Sequence, residues 1–110
     1  MTSLTKFLPL TESTYYIMLS LTEPLHGYGI MQKVKQLSGG SIDLAPGTLY
    51  GALDNLKKQK LIHLISEDAE KRRKVYLLSE QGREVLQLEF NRMRTLVSIS
   101  SPLLNGENET

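Results

Sequence analysis

The sequence contains no cysteine, and only two of its 110 residues are histidines. The chain therefore cannot form a disulfide bond, and a metal site would have no thiolate ligands. Because His26 and His63 lie far apart in the sequence, imidazole ligands at the usual spacing are missing as well. We expect no metal and no cofactor, and we interpret both histidines as structural, with His26 packing or capping at a helix start.

Long hydrophobic runs are also missing from the chain. No stretch approaches the roughly 20 apolar residues that a membrane span requires, and no apolar run follows a basic start near Met1. We expect a cytoplasmic protein that has no membrane partner. The sequence likewise lacks a glycine-rich phosphate loop, a nucleophile elbow and a readable acid and base pair. These absences favour a binding protein over an enzyme.

Charge is present but unevenly distributed. From Lys33 to Lys74 there are nine basic residues against five acidic ones, although the whole chain has a formal net charge of only +1. A chain of 110 residues with 40% hydrophobic content has room for one compact domain and a small core. The basic middle predicts contact with phosphates, and the small core favours oligomerisation, which would cover additional apolar surface.

Hydrophobic periodicity predicts three helices in the first part of the chain. Thr11 suits the N-cap of a first helix whose apolar residues point nearly all round, so it packs either wholly in the core or between the core and another element or subunit. A second helix begins near His26 and ends at Gly39 and Gly40, and a third has Pro46 in its first turn. Each carries one apolar stripe, formed by Ile30, Met31, Val34 and Leu37 in the second helix and by Leu49, Ala52, Leu53 and Leu56 in the third.

The second part of the chain combines a predicted hairpin with a long helix. Segments 61–66 and 75–78 are rich in β-forming residues and are separated by a charged segment, which is typical of two paired strands. Ser79 then suits the N-cap of a last helix that we expect to end at Ser100, Ser101 and Pro102. Its residues Leu86, Phe90, Met93 and Val97 follow the 4-3-4 spacing of a coiled-coil seam.

This order of elements is that of a winged helix-turn-helix, in a mainly α (α+β) chain with a two-stranded β wing. We expect a DNA-binding domain over residues 1–79, a dimerisation helix over 80–101 and a disordered tail over 102–110. In such a fold the third helix enters the major groove of double-stranded DNA.

The predicted outer face of the third helix is polar and sterically thin. Gly47 and Gly51 would let the backbone approach DNA, while Thr48, Asn55 and Lys58 offer hydrogen bonds to phosphates or base edges.

Two further residues of this helix have open roles. Tyr50 is either a core aromatic or a phosphate contact, and we favour the contact. Asp54 would be repelled by phosphates unless it accepts a hydrogen bond from cytosine N4 or pairs with a neighbouring lysine.

In the wing, four adjacent cations at 71–74 suit phosphate binding. The complete predicted DNA-binding set is Lys35, Pro46, Gly47, Thr48, Tyr50, Gly51, Asn55, Lys58, Lys71, Arg72, Arg73 and Lys74.

Three segments resemble the PadR-like transcriptional regulators. Segment 24–30 (PLHGYGI) is similar to the start of the family's second helix, 47–53 (GTLYGAL) to its recognition helix, and 72–82 (RRKVYLLSEQG) to its wing and last-helix start. The resemblance covers roughly residues 12–97, and the three motifs stand in the family's order and spacing. Together they form a much more specific signal than any one of them.

The resemblance implies a homodimeric repressor that binds inverted half-sites in double-stranded DNA, and many relatives release DNA on binding a small aromatic or amphipathic effector. The implied dimer interface comprises Tyr15, Tyr16, Leu19, Leu86, Phe90, Met93 and Val97. With a single C-terminal helix the chain resembles the short subgroup of the family, so the dedicated effector domain of longer relatives is not carried over to it. It also lacks the tryptophan that stacks on planar drugs in some short relatives, so drug binding is not carried over.

One alternative function remains at this point. A winged helix can serve as a protein-interaction module, and the basic wing could then bind an acidic partner instead of DNA. The salt dependence of binding separates the two hypotheses, because phosphate contacts weaken steeply as salt is added.

Overall fold

Within its described part, the chain forms four α-helices, one short 3₁₀ helix and a three-stranded antiparallel sheet. The structure, a computed structural model, describes residues 3–68, 70 and 73–106. The elements in chain order are the 3₁₀ helix Leu4–Phe7, α1 Glu12–Ser20, β1 Leu25–His26, α2 Gly27–Leu37, α3 Pro46–Lys58, β2 Ile62–Asp68, β3 Arg73–Leu78 and α4 Glu80–Leu104. This architecture confirms the predicted α+β winged helix-turn-helix.

The helix boundaries follow from local capping chemistry. The Thr11 hydroxyl accepts a hydrogen bond from the backbone N–H of Thr14 at 3.1 Å, and α1 begins at the next residue after Thr11. Ser79 caps α4 in the same way. Pro46 occupies the first turn of α3, where its missing N–H leaves no bond unmade. Gly39 and Gly40, both with positive φ, follow the end of α2 as predicted.

The sheet has the strand order β1-β3-β2, so the wing hairpin β2–β3 is extended by one very short strand. The hairpin pairs Ile62 with Leu78 at its base and Asp68 with Arg73 near its tip, with an irregularity between Leu64 and Ser66. The sequence analysis did not anticipate β1, because a strand of two residues has no periodicity to detect. Its pairing with β3 joins the start of α2 to the wing.

The core lies where α1, α2, α3, the base of the wing and the start of α4 meet. The predicted stripes of α2 and α3 face it, although Met31 and Ala52 are half-buried and Leu37 is 41% exposed. The core residues are Ile17, Met18, Leu21, Ile30, Val34, Leu44, Leu49, Leu53, Leu56, Leu61, Ile62, Tyr76, Leu78, Val85 and Leu86.

The predicted end of α4 is wrong. Helical structure continues through Ser100 and Pro102 to Leu104, so the helix also includes the first residues of the segment expected to be a disordered tail. A proline inside a helix removes the hydrogen bond that its own N–H would donate and crowds the carbonyl four residues earlier. Both effects disturb little of α4, because the helix ends two residues after Pro102. Beyond it, the N–H of Asn105 still donates to the carbonyl of Ser101 at 2.8 Å.

Candidate nucleic-acid interface

The outer side of α3 is open to solvent along its whole length. Leu49, Leu53 and Leu56 bury the inner side of the helix, which leaves the polar residues pointing outward. All the predicted DNA contacts on α3 are exposed: Pro46, Gly47, Thr48, Tyr50, Gly51, Asn55 and Lys58. The structure thus brings them together on one helix, as the sequence predicts.

The two glycines of α3 are not required by packing. A Cβ built on Gly47 or on Gly51 would meet no atom of the described residues within 4 Å. Glycine inside a helix costs roughly 0.5–1 kcal/mol relative to alanine, because it loses more backbone freedom. Two glycines on one exposed helix face therefore suit a surface that another molecule approaches closely.

Tyr50 is held on this surface by its contact with α2. Its side chain is 49% exposed, and its hydroxyl and ring lie against the backbone of Gly27. A Cβ at position 27 would overlap the Tyr50 hydroxyl. Of the two readings of Tyr50, the half-exposed position agrees better with an external contact than with a core aromatic.

The wing contributes cations beside α3. Arg73 and Lys74 begin β3 and are exposed, while Lys71 and Arg72 lie outside the described residues. The strand register places Glu67 opposite Lys74, so part of the wing's positive charge has an acidic neighbour.

Lys35, the predicted contact outside α3 and the wing, lies in the last turn of α2. Its ammonium is 3.6 Å from a carboxylate oxygen of Asp43, and the two side chains are 58% and 72% exposed. Such an exposed ion pair contributes little and is screened by salt. Lys35 can therefore exchange this partner for a phosphate.

A cleft separates α3 from the wing, and we call it the wing cleft. It has a volume of about 850 Å³ and is lined by the start of α2, the outer side of α3 and the wing hairpin. Sequence reasoning did not identify this cleft, because its walls come from three segments that are distant in the chain. Its aromatic and charged lining residues are His26, Tyr28, Tyr50, Asp54, Lys57, Glu67, Arg73, Lys74 and Tyr76.

A second exposed surface lies along α4 and α1. Leu86, from the predicted seam, is buried in the core of its own domain, whereas Phe90 and Val97 are 44% and 67% exposed and Met93 is half-buried. The helical residues 94–99 are all exposed, so this part of α4 projects from the domain. On α1, the predicted interface residues Tyr15, Tyr16 and Leu19 are half-buried against the core.

Alongside this surface, α4 carries an ion pair between the buried carboxylate of Glu89 and the partly exposed guanidinium of Arg92. Glu89 is 1% exposed; its carboxylate accepts hydrogen bonds from Arg92 and from the backbone N–H of Leu10. The hydrogen bond from Arg92 holds the pKa of Glu89 below its ordinary value despite burial. In turn, burial raises the pKa of Tyr15, and the charge of Glu89 raises it further.

The described residues contain no group of three or more His, Cys, Asp or Glu side chains that could hold a metal ion. Over the same part of the chain, no helix combines the length and hydropathy needed to cross a membrane.

The comparison with known families decides between the functions that these surfaces allow. Residues 17–88, from α1 into the first turns of α4, match the model of the transcriptional regulator PadR-like family. The chain belongs to this family. Its members are DNA-binding transcriptional regulators.

Two individual relatives match part of the chain. The chain is 40% identical over 73 residues to a 37.1 kDa protein in transposon TN4556 of Streptomyces fradiae, covering 66% of this chain and 20% of that protein. It is 36% identical over 62 residues to the transcriptional regulator YqjI of Escherichia coli, covering 56% of this chain and 29% of YqjI. The chain therefore corresponds to less than a third of either relative.

A solved structure supports the fold. The chain superposes on a PadR-like transcription factor from Bacteroides fragilis with a TM-score of 0.71 and 29% identity, over 83% of this chain and 88% of that one.

Proposed function

We propose that this protein is a cytoplasmic transcriptional repressor that binds inverted half-sites in double-stranded DNA as a homodimer. The observation that carries the proposal is the outer side of α3. It presents Thr48 and Asn55 beside two glycines that no internal contact requires, and the wing cations lie next to it. The helix then reads base edges in the major groove while Arg73 and Lys74 bind the phosphate backbone.

The homodimer is supported by the apolar surface of α4. From Phe90 to the end of the helix, large hydrophobic side chains are exposed, namely Phe90, Leu96, Val97, Ile99, Leu103 and Leu104. The opposite side of this part of α4 is polar and includes Asn91, Arg94 and Ser98. A second copy of the same helix offers a matching apolar face, so pairing the two would bury both stripes. The domains proposed from the sequence, residues 1–79 for DNA and 80–101 for dimerisation, fit this arrangement.

Dimer symmetry leads to the form of the operator. A two-fold pair of winged helices presents two copies of α3 to DNA, and half-sites in such complexes lie about 34 Å apart, one helical turn. The operator is then an inverted repeat with that spacing. A small aromatic or amphipathic effector that favours the unbound dimer would release the DNA.

One experiment tests the function as a whole. Genomic fragments bound by the protein are selected, and their shared sequence is determined. We expect an inverted repeat upstream of a regulated gene. We also expect the logarithm of the DNA-binding constant K to fall, for each unit rise in the logarithm of the salt concentration, by roughly 0.9 per phosphate contact. The alternative is that the wing binds an acidic protein. It would be favoured if the selected fragments share no sequence and the binding constant does not change with salt.

The same assay tests base recognition. Thr48→Ala and Asn55→Ala should change the preference between operator variants more than they change the affinity for non-specific DNA. If both substitutions weaken all sequences equally, α3 does not read bases through these side chains.

A further inference from the structure

Hydrogen bonds join the start of α4 directly to the end of α3. The acceptors are the backbone carbonyls of residues 59, 60 and 61, which follow α3 in the chain. The donors are Ser79, through its hydroxyl and its N–H, and the side-chain amide of Gln81. We call this set of bonds the α3–α4 junction. It connects the helix that carries the proposed base-reading side chains to the helix that carries the exposed apolar surface.

Ser79 makes most of the bonds in the junction. Its hydroxyl donates to the carbonyl of Lys60 at 2.8 Å and accepts from the backbone N–H of Gly82 at 2.9 Å. Its own N–H donates to the carbonyl of Leu61 at 3.0 Å. Ser79 is only 4% exposed, so water has little access to replace these partners. One side chain thus caps α4 and holds the end of α3.

The backbone at the end of α3 has a conformation that needs such support. Lys60 has a φ of 64°, in the left-handed region that favours glycine. Two bonds close the helix there, from the N–H of Lys60 to the carbonyl of Lys57 and from the N–H of Leu61 to the carbonyl of Leu56. A residue with a side chain keeps this conformation when its surroundings hold it. The bond from Ser79 to the Lys60 carbonyl is one such contact.

The first turn of α4 also packs directly on this segment. A Cβ built on Gly82 would overlap the carbonyl oxygen of Leu61, so the two backbones lie in close contact. On the side of α1, the guanidinium of Arg83 donates to the carbonyl of Thr22 at 3.1 Å. The start of α4 is therefore attached to two neighbouring segments, and a tilt of α4 against α3 would break these contacts.

We propose that the α3–α4 junction sets the distance between the two half-sites that the protein recognises, with Ser79 and Gln81 as positioning residues. The inference rests on the proposed function, because two copies of α3 act together only in a homodimer paired through α4. In that dimer, each α3 keeps one orientation to its own α4 and therefore to the other α3. Loss of the junction would let each α3 turn about the end of α4, and operators with other spacings would then be accepted.

The binding test compares operators that differ only in the number of base pairs between the half-sites. Two added base pairs turn one half-site by about 70° around the duplex, because one helical turn comprises about 10 base pairs. Fluorescence anisotropy should show that the unmodified protein prefers the natural spacing by roughly tenfold in apparent Kd. Equal binding of both operators by the unmodified protein would overturn the proposal.

A double variant then tests the positioning residues. Ser79→Ala with Gln81→Ala removes both side-chain bonds to the end of α3 and should reduce the spacing preference to within about threefold. The matched control combines Thr11→Ala, which removes the N-cap hydroxyl of α1, with Gln87→Ala, whose amide donates to Asn91 within α4. The control should keep the full preference.

The spacing preference separates positioning from a general loss of stability. If the double variant binds both operators more weakly but keeps the tenfold preference, the two residues are merely structural and the proposal is overturned. Circular dichroism confirms that the variants are folded. If the double variant is unfolded, Gln81→Ala alone decides: its surface hydrogen bond is 3.3 Å long, and its removal should lower the preference about twofold. An unchanged preference in this variant would then overturn the proposal.

A distance measurement without DNA separates this inference from the proposed function. The sequence has no cysteine, so Lys57→Cys on α3 and Ser98→Cys on α4 give two defined positions for spin labels. Mixing labelled protein with excess unlabelled protein leaves only the label–label distance within one subunit. Its distribution should be about twofold wider in the double variant and unchanged in the control.

Equal widths in the double variant and the unmodified protein would overturn the proposal. If the chain binds no DNA, the proposed function fails, while a wider distribution still supports the junction as the contact that holds α3 against α4.

Discussion

The phenol ring of Tyr50 lies against the backbone of Gly27, where α2 begins. A Cβ built at position 27 would overlap the Tyr50 hydroxyl and lie 2.9 Å from the ring carbon Cζ, a distance too short for a carbon contact. The missing side chain at position 27 thus permits the position of the Tyr50 ring on the outer side of α3.

Gly27→Ala should displace the Tyr50 ring and weaken operator binding three- to tenfold, because a hydrogen bond to a phosphate is worth roughly 1 kcal/mol. Fluorescence anisotropy with labelled operator measures the effect. Gly29→Ala is the control, since its Cβ would meet Leu25 and His26 at no less than 3.3 Å. Tyr50→Phe should reproduce part of the loss. Unchanged affinity in both Gly27→Ala and Tyr50→Phe would remove Tyr50 from the interface.

Gly51→Ala should have opposite effects on stability and on binding. The added methyl group meets no described atom within 4 Å, and alanine favours the helix by roughly 0.5–1 kcal/mol, so the melting temperature should rise by a few degrees. Operator affinity should fall, because the methyl group would stand between α3 and the floor of the groove. A variant that is more stable and binds as well as the unmodified protein would show that the backbone of α3 does not approach DNA closely here.

Neutralising the wing should weaken binding to every DNA sequence. With Arg72, Arg73 and Lys74 all changed to alanine, the slope of log K against log salt should become shallower by about 0.9 for each lost phosphate contact. Lys6→Ala removes the same type of charge from the N-terminal 3₁₀ helix, where the ammonium lies 5.3 Å from the Phe7 ring centre, and should not alter the slope. Equal slopes for the wing variant and the unmodified protein would contradict phosphate binding by the wing.

Charges on the apolar side of α4 should prevent dimerisation. Phe90→Glu combined with Met93→Glu would bury unpaired carboxylates between two subunits, which costs several kcal/mol. Sedimentation at micromolar concentration should then show a monomer that has lost operator affinity, while circular dichroism shows retained helix. Ser98→Glu, on the polar side of the helix, is the matched control and should remain dimeric. A monomeric unmodified protein would refute the dimer itself.

The buried carboxylate of Glu89 should make stability depend on acid pH. Its pKa is lowered in the folded state, so its contribution is complete near neutral pH and is lost as pH falls through the folded-state value. Glu89→Gln should destabilise the fold by about 1–3 kcal/mol at pH 7, with the difference shrinking below pH 4. Urea unfolding at pH 7, 5 and 3 measures this. Glu84→Gln changes an exposed residue of the same helix and should show no such trend.

Much of the fold could be predicted because its signals are local. Capping at Thr11 and Ser79, the stop at Gly39 and Gly40, and the apolar stripes of α2 and α3 depend on residues within a few positions of one another. The strand β1 and the last three residues of α4 were missed for the same reason. Leu25 and His26 become a strand only because Tyr76 and Val75 lie beside them, and Pro102 is tolerated only because it comes so near the helix end.

By itself the sequence determined the order and type of the elements, the polar outer face of α3 and the family to which its motifs belong. Those features depend on periodicity and short spacings, which the linear chain displays directly. The tertiary structure alone decided that Leu86 belongs to the core of its own domain, that Glu89 holds the N-terminal segment, and that Asp54, Glu67 and Tyr76 line one cleft. These relationships join residues far apart in the chain, and only the packing of the folded chain brings such residues together.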